Sequence, residues 1–375
     1  MANTLTNVMP KILARGLMNL RKRVIMPRLV NTSYSQEAAQ KGDVINVPIP
    51  EAKTATAVTP SNTPPAPSDT APGTVPISLD QWYHADFHLT DKDLVQIDRN
   101  QHFFPMEAEA AIEALAVAVN QHIFSRYKKV FGYVGTAGTT PFASDVTAAT
   151  LLKKTLNVQK CPKDLRRAVL DFSAEANAVA LAPFRDASQS TDRDVIIEGE
   201  IGRKLGFDWF TDDDVPTHTA GTGSGYLINN SGGYAAGVST VTVDTGTGTI
   251  LVGDIVSFAG HSQTYAVTAA LASNQFSFYP ALQASVADNA AVTLRATHVV
   301  NLGFHRDAFA FATRPLAATS VDLSLGNEIM SMQDPKSGLV LRLEVSRQYK
   351  QTVWDFDILW GSELVRPELA ARLAG

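Results

Sequence analysis

The chain has one cysteine, Cys161, among 375 residues. It can form no disulfide within itself and no cysteine-built zinc site. A lone thiol beside Pro162 reads as a small packing side chain, and the composition fits synthesis in a reducing compartment. Charge is also scarce: Asp, Glu, Lys and Arg make up 18% of the residues, against about a quarter in ordinary globular proteins. A surface short of charge fits a chain that covers much of itself with further copies. The net charge of −5 excludes a protein that binds polyanions over its whole surface. Long apolar runs are missing. The best candidate, residues 108–119, is interrupted by Glu109 and Glu113 and falls short of the roughly 20 residues a membrane span needs. No apolar segment or small-residue cleavage site follows the basic N-terminal residues, so the product is expected in the cytosol of the cell that makes it.

Catalytic motifs are equally scarce. The glycine-rich stretches Gly221–Gly225 and Gly246–Gly248 lack the strand and helix context of a dinucleotide loop and the Gly-Lys-Ser/Thr of a P-loop, and no Gly-x-Ser-x-Gly elbow is present. Asp212, Asp213 and Asp214 lack the alternating spacing of a calcium loop and read as a solvated turn. His84, Asp86 and His88 share one face of a strand, but an extended segment offers no second shell for a metal. No reaction, cofactor or metal is expected.

What is present is a sequence of contrasting segments. Residues 1–36 hold no acid and six cations, Lys11, Arg15, Arg21, Lys22, Arg23 and Arg28. Leu13, Leu17 and Leu20 recur at helical spacing, predicting a short amphipathic helix that orders against a partner. Residues 43–60 and 74–90 read as two extended runs joined by a proline-rich turn. Pro48 and Pro50 confine the first to an edge. Together they predict a long flap whose Trp82, Tyr83 and Phe87 pack on an adjacent subunit. Residues 105–131 carry the clearest helix, with the stripe Ile112, Leu115, Val119 and Ile123, acids at its start and cations at its end. A second helix is expected over 144–158, capped by Ser144, with Leu151, Leu152 and Leu156 on one face. A strand is expected over 167–172, a helix over 192–205 and a polar connection over 208–216. Residues 219–297 are rich in Gly, Thr, Ser, Val and Ala, with alternating runs at 240–243, 254–258, 264–268, 275–279 and 291–295, predicting a small all-β unit. Strands at 339–345 and 352–360 complete an α+β chain.

Several segments together resemble tailed-bacteriophage coat proteins: residues 298–316 (HVVNLGFHRDAFAFATRPL), 338–350 (GLVLRLEVSRQYK), 357–361 (DILWG), 366–370 (RPELA) and 200–208 (EIGRKLGFD). The chain is similar over nearly its whole length to the Hong Kong 97-type capsid family, in the branch with an inserted β-barrel domain typified by the Salmonella podovirus coat protein. The resemblance implies an N-arm at 1–40 and an E-loop at 41–92. It further implies a peripheral domain with the spine helix at 93–139, an axial domain at 140–218, an inserted β domain at 219–297, and a return segment at 298–375 completing the axial and peripheral domains. It also implies hexamers and pentamers in an icosahedral shell around double-stranded DNA, assembled in a bacterial cytoplasm with a separate scaffolding protein and a portal protein. Arg15, Arg21, Lys22, Arg23 and Arg28 of the arm would then meet scaffolding protein or DNA; the apolar leucine face favours scaffolding. An encapsulin-like compartment enclosing enzymes is the alternative with the same fold.

Overall fold

The structure is a computed structural model that describes residues 12–14, 16–18, 25–33, 40–49, 55, 57–58, 60, 72–91, 106–185, 201–317, 328–334 and 338–375. Its axis is a long helix, Met106–Ser125, tightening into a 3₁₀ turn at Arg126–Lys129. The run contains no Gly or Pro, and Glu107 and Glu109 sit in its first turn, where the helix dipole favours acids. Ile112, Leu115, Val119 and Ile123 are all buried, as their spacing predicts. The regular helix ends six residues before the expected boundary, with the cations of residues 126–129 in the tight turn.

A five-stranded antiparallel sheet packs on this helix. Its longest member, Gln351–Leu364, pairs with Gln81–Thr90 along one edge and with Val340–Gln348 and Phe309–Arg314 along the other; Glu328–Gln333 flanks Val340–Gln348. Period-two alternation turns Phe87, Leu89, Leu341, Leu343, Val345, Trp354, Phe356 and Ile358 toward the helix, into the main core. This corrects the expected flap. Among the described residues, Val44–Ile49 and Gly73–Ser78 form a two-stranded hairpin, and the extended run breaks at Leu79–Asp80 before its second half joins the sheet. The hairpin itself lies on the same chain, where Val47, Ile77 and Leu79 pack with Ala310, Ala312, Leu359 and Val365. Gly361 sits inside the long strand, at a position where any Cβ would run into the Ser78 carbonyl.

A second, seven-stranded sheet runs Gly132–Gly135, Ala370–Ala374, His298–His305, Arg166–Leu170, Phe207–Thr211, Arg203–Lys204, with Thr217–His218 also pairing with His298–His305. Helix Thr147–Val158 covers it through Ala149, Leu152 and Leu156, so closely that a Cβ on Gly303 would press into Leu152. Several expectations fail here. Ser144 is not the cap; Asp145 accepts the Thr147 N–H at 2.8 Å. Leu151 is 41% exposed. Phe172 opens a helix, Phe172–Ala180, capped by Asp171, instead of closing a strand. Residues 203–204 and 207–211 are strands where a helix end and a polar connection were expected; residues 192–200 of that helix lie outside the described residues.

The third sheet is six-stranded and wholly antiparallel: Val292–Leu294, Ile255–Phe258, Tyr265–Ala272, Gln275–Tyr279, Thr240–Asp244, Leu227–Ile228. Five of its strands fall on the five alternating runs. It has its own core, centred on Val241, Val243, Phe258, Tyr265, Phe276 and Phe278.

Candidate assembly surface

On the solvent side of the five-stranded sheet, alternation collects the polar partners of the core residues. His84 stands opposite Asp357 and Arg342 opposite Asp357 on its other side; Glu344 stands opposite Asp355. With Trp82, Gln40, Leu316 and Ala317 they line a cleft of about 500 Å³. Arg342 is buried and donates from Nη2 to Glu344 at 2.7 Å. Its Nε lies 3.7 Å from Asp357, too far for a hydrogen bond. Nε and Nη1 have no acceptor. His84 Nδ1 meets Asp355 at 3.2 Å. Burial pushes the Asp357 carboxyl up to about 6, against the opposing pull of Arg342; burial also raises Asp355, against His84.

The structure separates the three aromatic residues expected at an intersubunit contact. Trp82 is 44% exposed at the cleft rim, and Tyr83 is 49% exposed on the other face of the strand, its ring 5.1 Å from Trp360. Phe87 is buried in the chain's own core, stacked 6.2 Å from Trp354. Its ring is enclosed by the chain's own side chains and leaves nothing for a neighbour to touch, so Phe87 is corrected to an internal packing residue. His84, Asp86 and His88 share a face as expected, yet His84 is engaged with Asp355. Among the described residues, only Asp212, Asp213 and Asp214 bring ligand atoms close enough together to hold a metal.

The triplet is a solvated turn only in part: Asp213 is exposed in a turn at 213–214, while Asp212 lies inside. Asp212 is buried, and the Asn120 amide on the long helix donates to Asp212 at 2.8 Å and to Asp214 at 2.9 Å, while Asn120 Oδ1 accepts the Met26 N–H at 3.1 Å. Burial pushes Asp212 up to about 6. The same junction holds the arm. Leu13 and Leu17 are buried in the main core, with Gly16 against Ile112, so the apolar face expected to await a partner helix is occupied within the chain. Leu20, Arg15, Arg21, Lys22 and Arg23 lie outside the described residues. Arg28 is exposed.

Sequence reasoning missed the joint between the six-stranded unit and the rest. Arg372 is fully buried and donates to the carbonyls of Val130 (2.9 Å), Gly253 (2.9 Å) and Lys128 (3.2 Å), with its guanidinium 5.0 Å over the Tyr127 ring. Beside it, Tyr127 Oη meets His218 Nδ1 at 3.0 Å, and His218 Nε2 meets the buried Asp254 at 2.9 Å. The neighbouring His298 hydrogen-bonds the Ala296 carbonyl through Nδ1, while its Nε2 has no partner; burial pushes it down to about 4. No local pattern signals this network, since its members come from five distant segments. Cys161 is buried and its thiol raised by burial, the inert role its setting implied.

No helix among the described residues is long and apolar enough to cross a membrane. No protein-family model and no curated protein matches the chain. Among solved structures, the chain is similar to one from Mycobacterium phage Che8, with 15% identity and a TM-score of 0.50 over 93% of this chain and 90% of that one. It is also similar to the capsid of cyanophage P-SCSP1u (12%, 0.48, 93% and 87%) and to the capsid of Ralstonia phage GP4 (7%, 0.43, 90% and 83%). The chain thus shares the α+β fold of the Mycobacterium phage Che8 protein across nine-tenths of its length.

Proposed function

We propose that the chain is the major capsid protein of a tailed bacteriophage, a structural shell subunit with no catalytic role. The observation that carries this is the fold shared with a phage protein over 93% of the chain. It joins the segments that resemble Hong Kong 97-type coat proteins. On this reading the hairpin at 44–49 and 73–78 belongs to the E-loop, the helix 106–125 is the spine of the peripheral domain, the seven-stranded sheet belongs to the axial domain, and the six-stranded unit is the inserted domain. Trp82 and Tyr83, large and half exposed, are the intersubunit contacts. Hexamers and pentamers close an icosahedral head around double-stranded DNA, with scaffolding and portal proteins as partners. The arm's cations meet scaffolding protein or DNA through charge, since its leucines are already engaged. The net charge of −5 keeps any DNA contact local and favours scaffolding.

Co-expression with a scaffolding partner, followed by size-exclusion chromatography with light scattering and negative-stain imaging, should give closed megadalton shells. A chain that stays monomeric under every such condition overturns the reading. Shells from infected cells should protect DNA from nuclease, and shells filled with enzyme instead would overturn the phage-head assignment.

A further inference from the structure

The cleft beneath Trp82 is chemically incomplete. Among the described residues, three carboxylates, Glu344, Asp355 and Asp357, line it against one guanidinium. That guanidinium hydrogen-bonds Glu344 and leaves Asp357 at 3.7 Å. His84 reaches Asp355. The carboxylates therefore outnumber the fixed cations, and water is partly excluded. Arg342 is 6% exposed at its side chain, yet Nε and Nη1 have no acceptor. Buried donors without acceptors are rare in finished structures, because leaving one unpaired is costly. The wall therefore asks for two things at once: a cation for the carboxylates, and a carbonyl for Arg342.

We propose that this cleft is a receptor for a lysine or arginine side chain of a second copy of the chain, a reading that rests on the shell function above. A basic residue in an extended segment brings both groups: its side chain meets Asp355 and Asp357, and its own main-chain carbonyl meets Arg342. The half-exposed Trp82 ring closes over the cation, where an indole face attracts an ammonium or guanidinium. The volume, about 500 Å³, suits one side chain with its flanking backbone. Charge complementarity points to a second copy: residues 1–36 hold six Lys and Arg and no acid, and all 37 Asp and Glu lie after them. Copies of one chain thus carry both halves of the contact.

The test uses the full-length, unassembled subunit and N-acetyl-arginine-amide as probe. Trp209, Trp354 and Trp360 are buried, so an emission change on titration reports Trp82. We expect a saturable change at pH 8 that is absent with N-acetyl-glutamine-amide, and an affinity at least about tenfold weaker in D355N/D357N, as expected for loss of paired charge. Because those substitutions touch the buried Arg342, the wild type supplies a second measurement. Asp357 faces Arg342 and Glu344 from one strand and His84 and Trp82 from the other, with Asp355 beside it, and its carboxyl sits at about 6. Probe binding should therefore weaken several-fold between pH 7 and pH 5. No saturable change, equal affinity in the variant, or a flat pH profile each overturns the receptor. Assembly distinguishes the source. If D355N/D357N folds, binds the probe weakly and still assembles like wild type, the occupant is a free cation such as a polyamine and the second-copy assignment is wrong. If wild type never assembles, the shell function fails, while the titration still decides the cleft.

Discussion

The two antiparallel sheets that flank the axis are built on opposite plans. The six-stranded unit comes from one continuous stretch, residues 227–294, and almost every inward side chain meets another from the same stretch. The five-stranded sheet takes strands from residues 81–90, 309–314, 328–333, 340–348 and 351–364; its inward face is completed by the long helix and the arm's Leu13 and Leu17, and its outward face carries the cleft. The first is a unit that satisfies itself. The second is a platform with one face committed to the core and one face unfinished.

The comparison can be broken most directly by enlarging a cavity in each core. Phe258→Ala and Phe356→Ala each remove a buried ring, at a cost of about 3–5 kcal/mol. In calorimetry Phe258→Ala should split off an early transition belonging to the six-stranded unit, whereas Phe356→Ala should lower the main transition. Identical single transitions for both would show that the two sheets unfold as one. Arg372→Ala comes next: three carbonyls lose their donor at the joint, and about 3 kcal/mol should be lost from both units together. Loss from only one would mean that the joint does not couple them.

A smaller effect concerns pH. His122 and His298 are both held neutral, pushed down to about 4 by burial, so their contributions are present above the ordinary value of 6.5 and are lost as pH falls toward 4. Asp357 and Asp212 are raised to about 6 and act in the opposite sense: they destabilise the fold above 6, and that penalty fades as pH falls toward their ordinary value near 3.8. Urea midpoints should therefore change little between pH 6 and 4 in the wild type. His298→Phe removes one of the two opposing histidines, and stability should then rise by about 2 kcal/mol over the same fall in pH; an unchanged profile would remove His298 from the account. The smallest effect on the subunit itself belongs to Trp82→Ala, under about 0.5 kcal/mol in urea melts because the ring is half exposed. Assembly yield should nevertheless fall severalfold, and equal losses in both assays would place Trp82 in the core.

These plans also decide what the sequence made legible. The strands of the six-stranded unit follow turn by turn from local alternation, and the long helix follows from an apolar stripe uninterrupted by Gly or Pro. The platform was misread where its pairing is non-local. Residues 81–90 look like a flap strand until Gln351–Leu364, some 270 residues later, is placed beside them. Taken as a flap strand, the run leaves Phe87 outward; paired in the sheet, Phe87 faces the core, while Trp82, on the opposite face, keeps its exposure. The arm's leucines show the same limit: periodicity identifies an apolar face but not what covers it. Asp212 shows it for polar groups, since only the approach of Asn120 turns an acidic triplet into a buried junction.

Arg372 has a consequence of a different kind. All three of its hydrogen-bond partners are main-chain carbonyls, groups that neither titrate nor gather counterions. A fastening made from them keeps its strength when salt or acidity changes, unlike the carboxylate contacts of the cleft. Part of any pull on the six-stranded unit passes through Gly253 to the C-terminal strand and the end of the long helix. The six-stranded unit is thus pinned to the C-terminal strand and the end of the long helix by bonds whose acceptors carry no titrating proton.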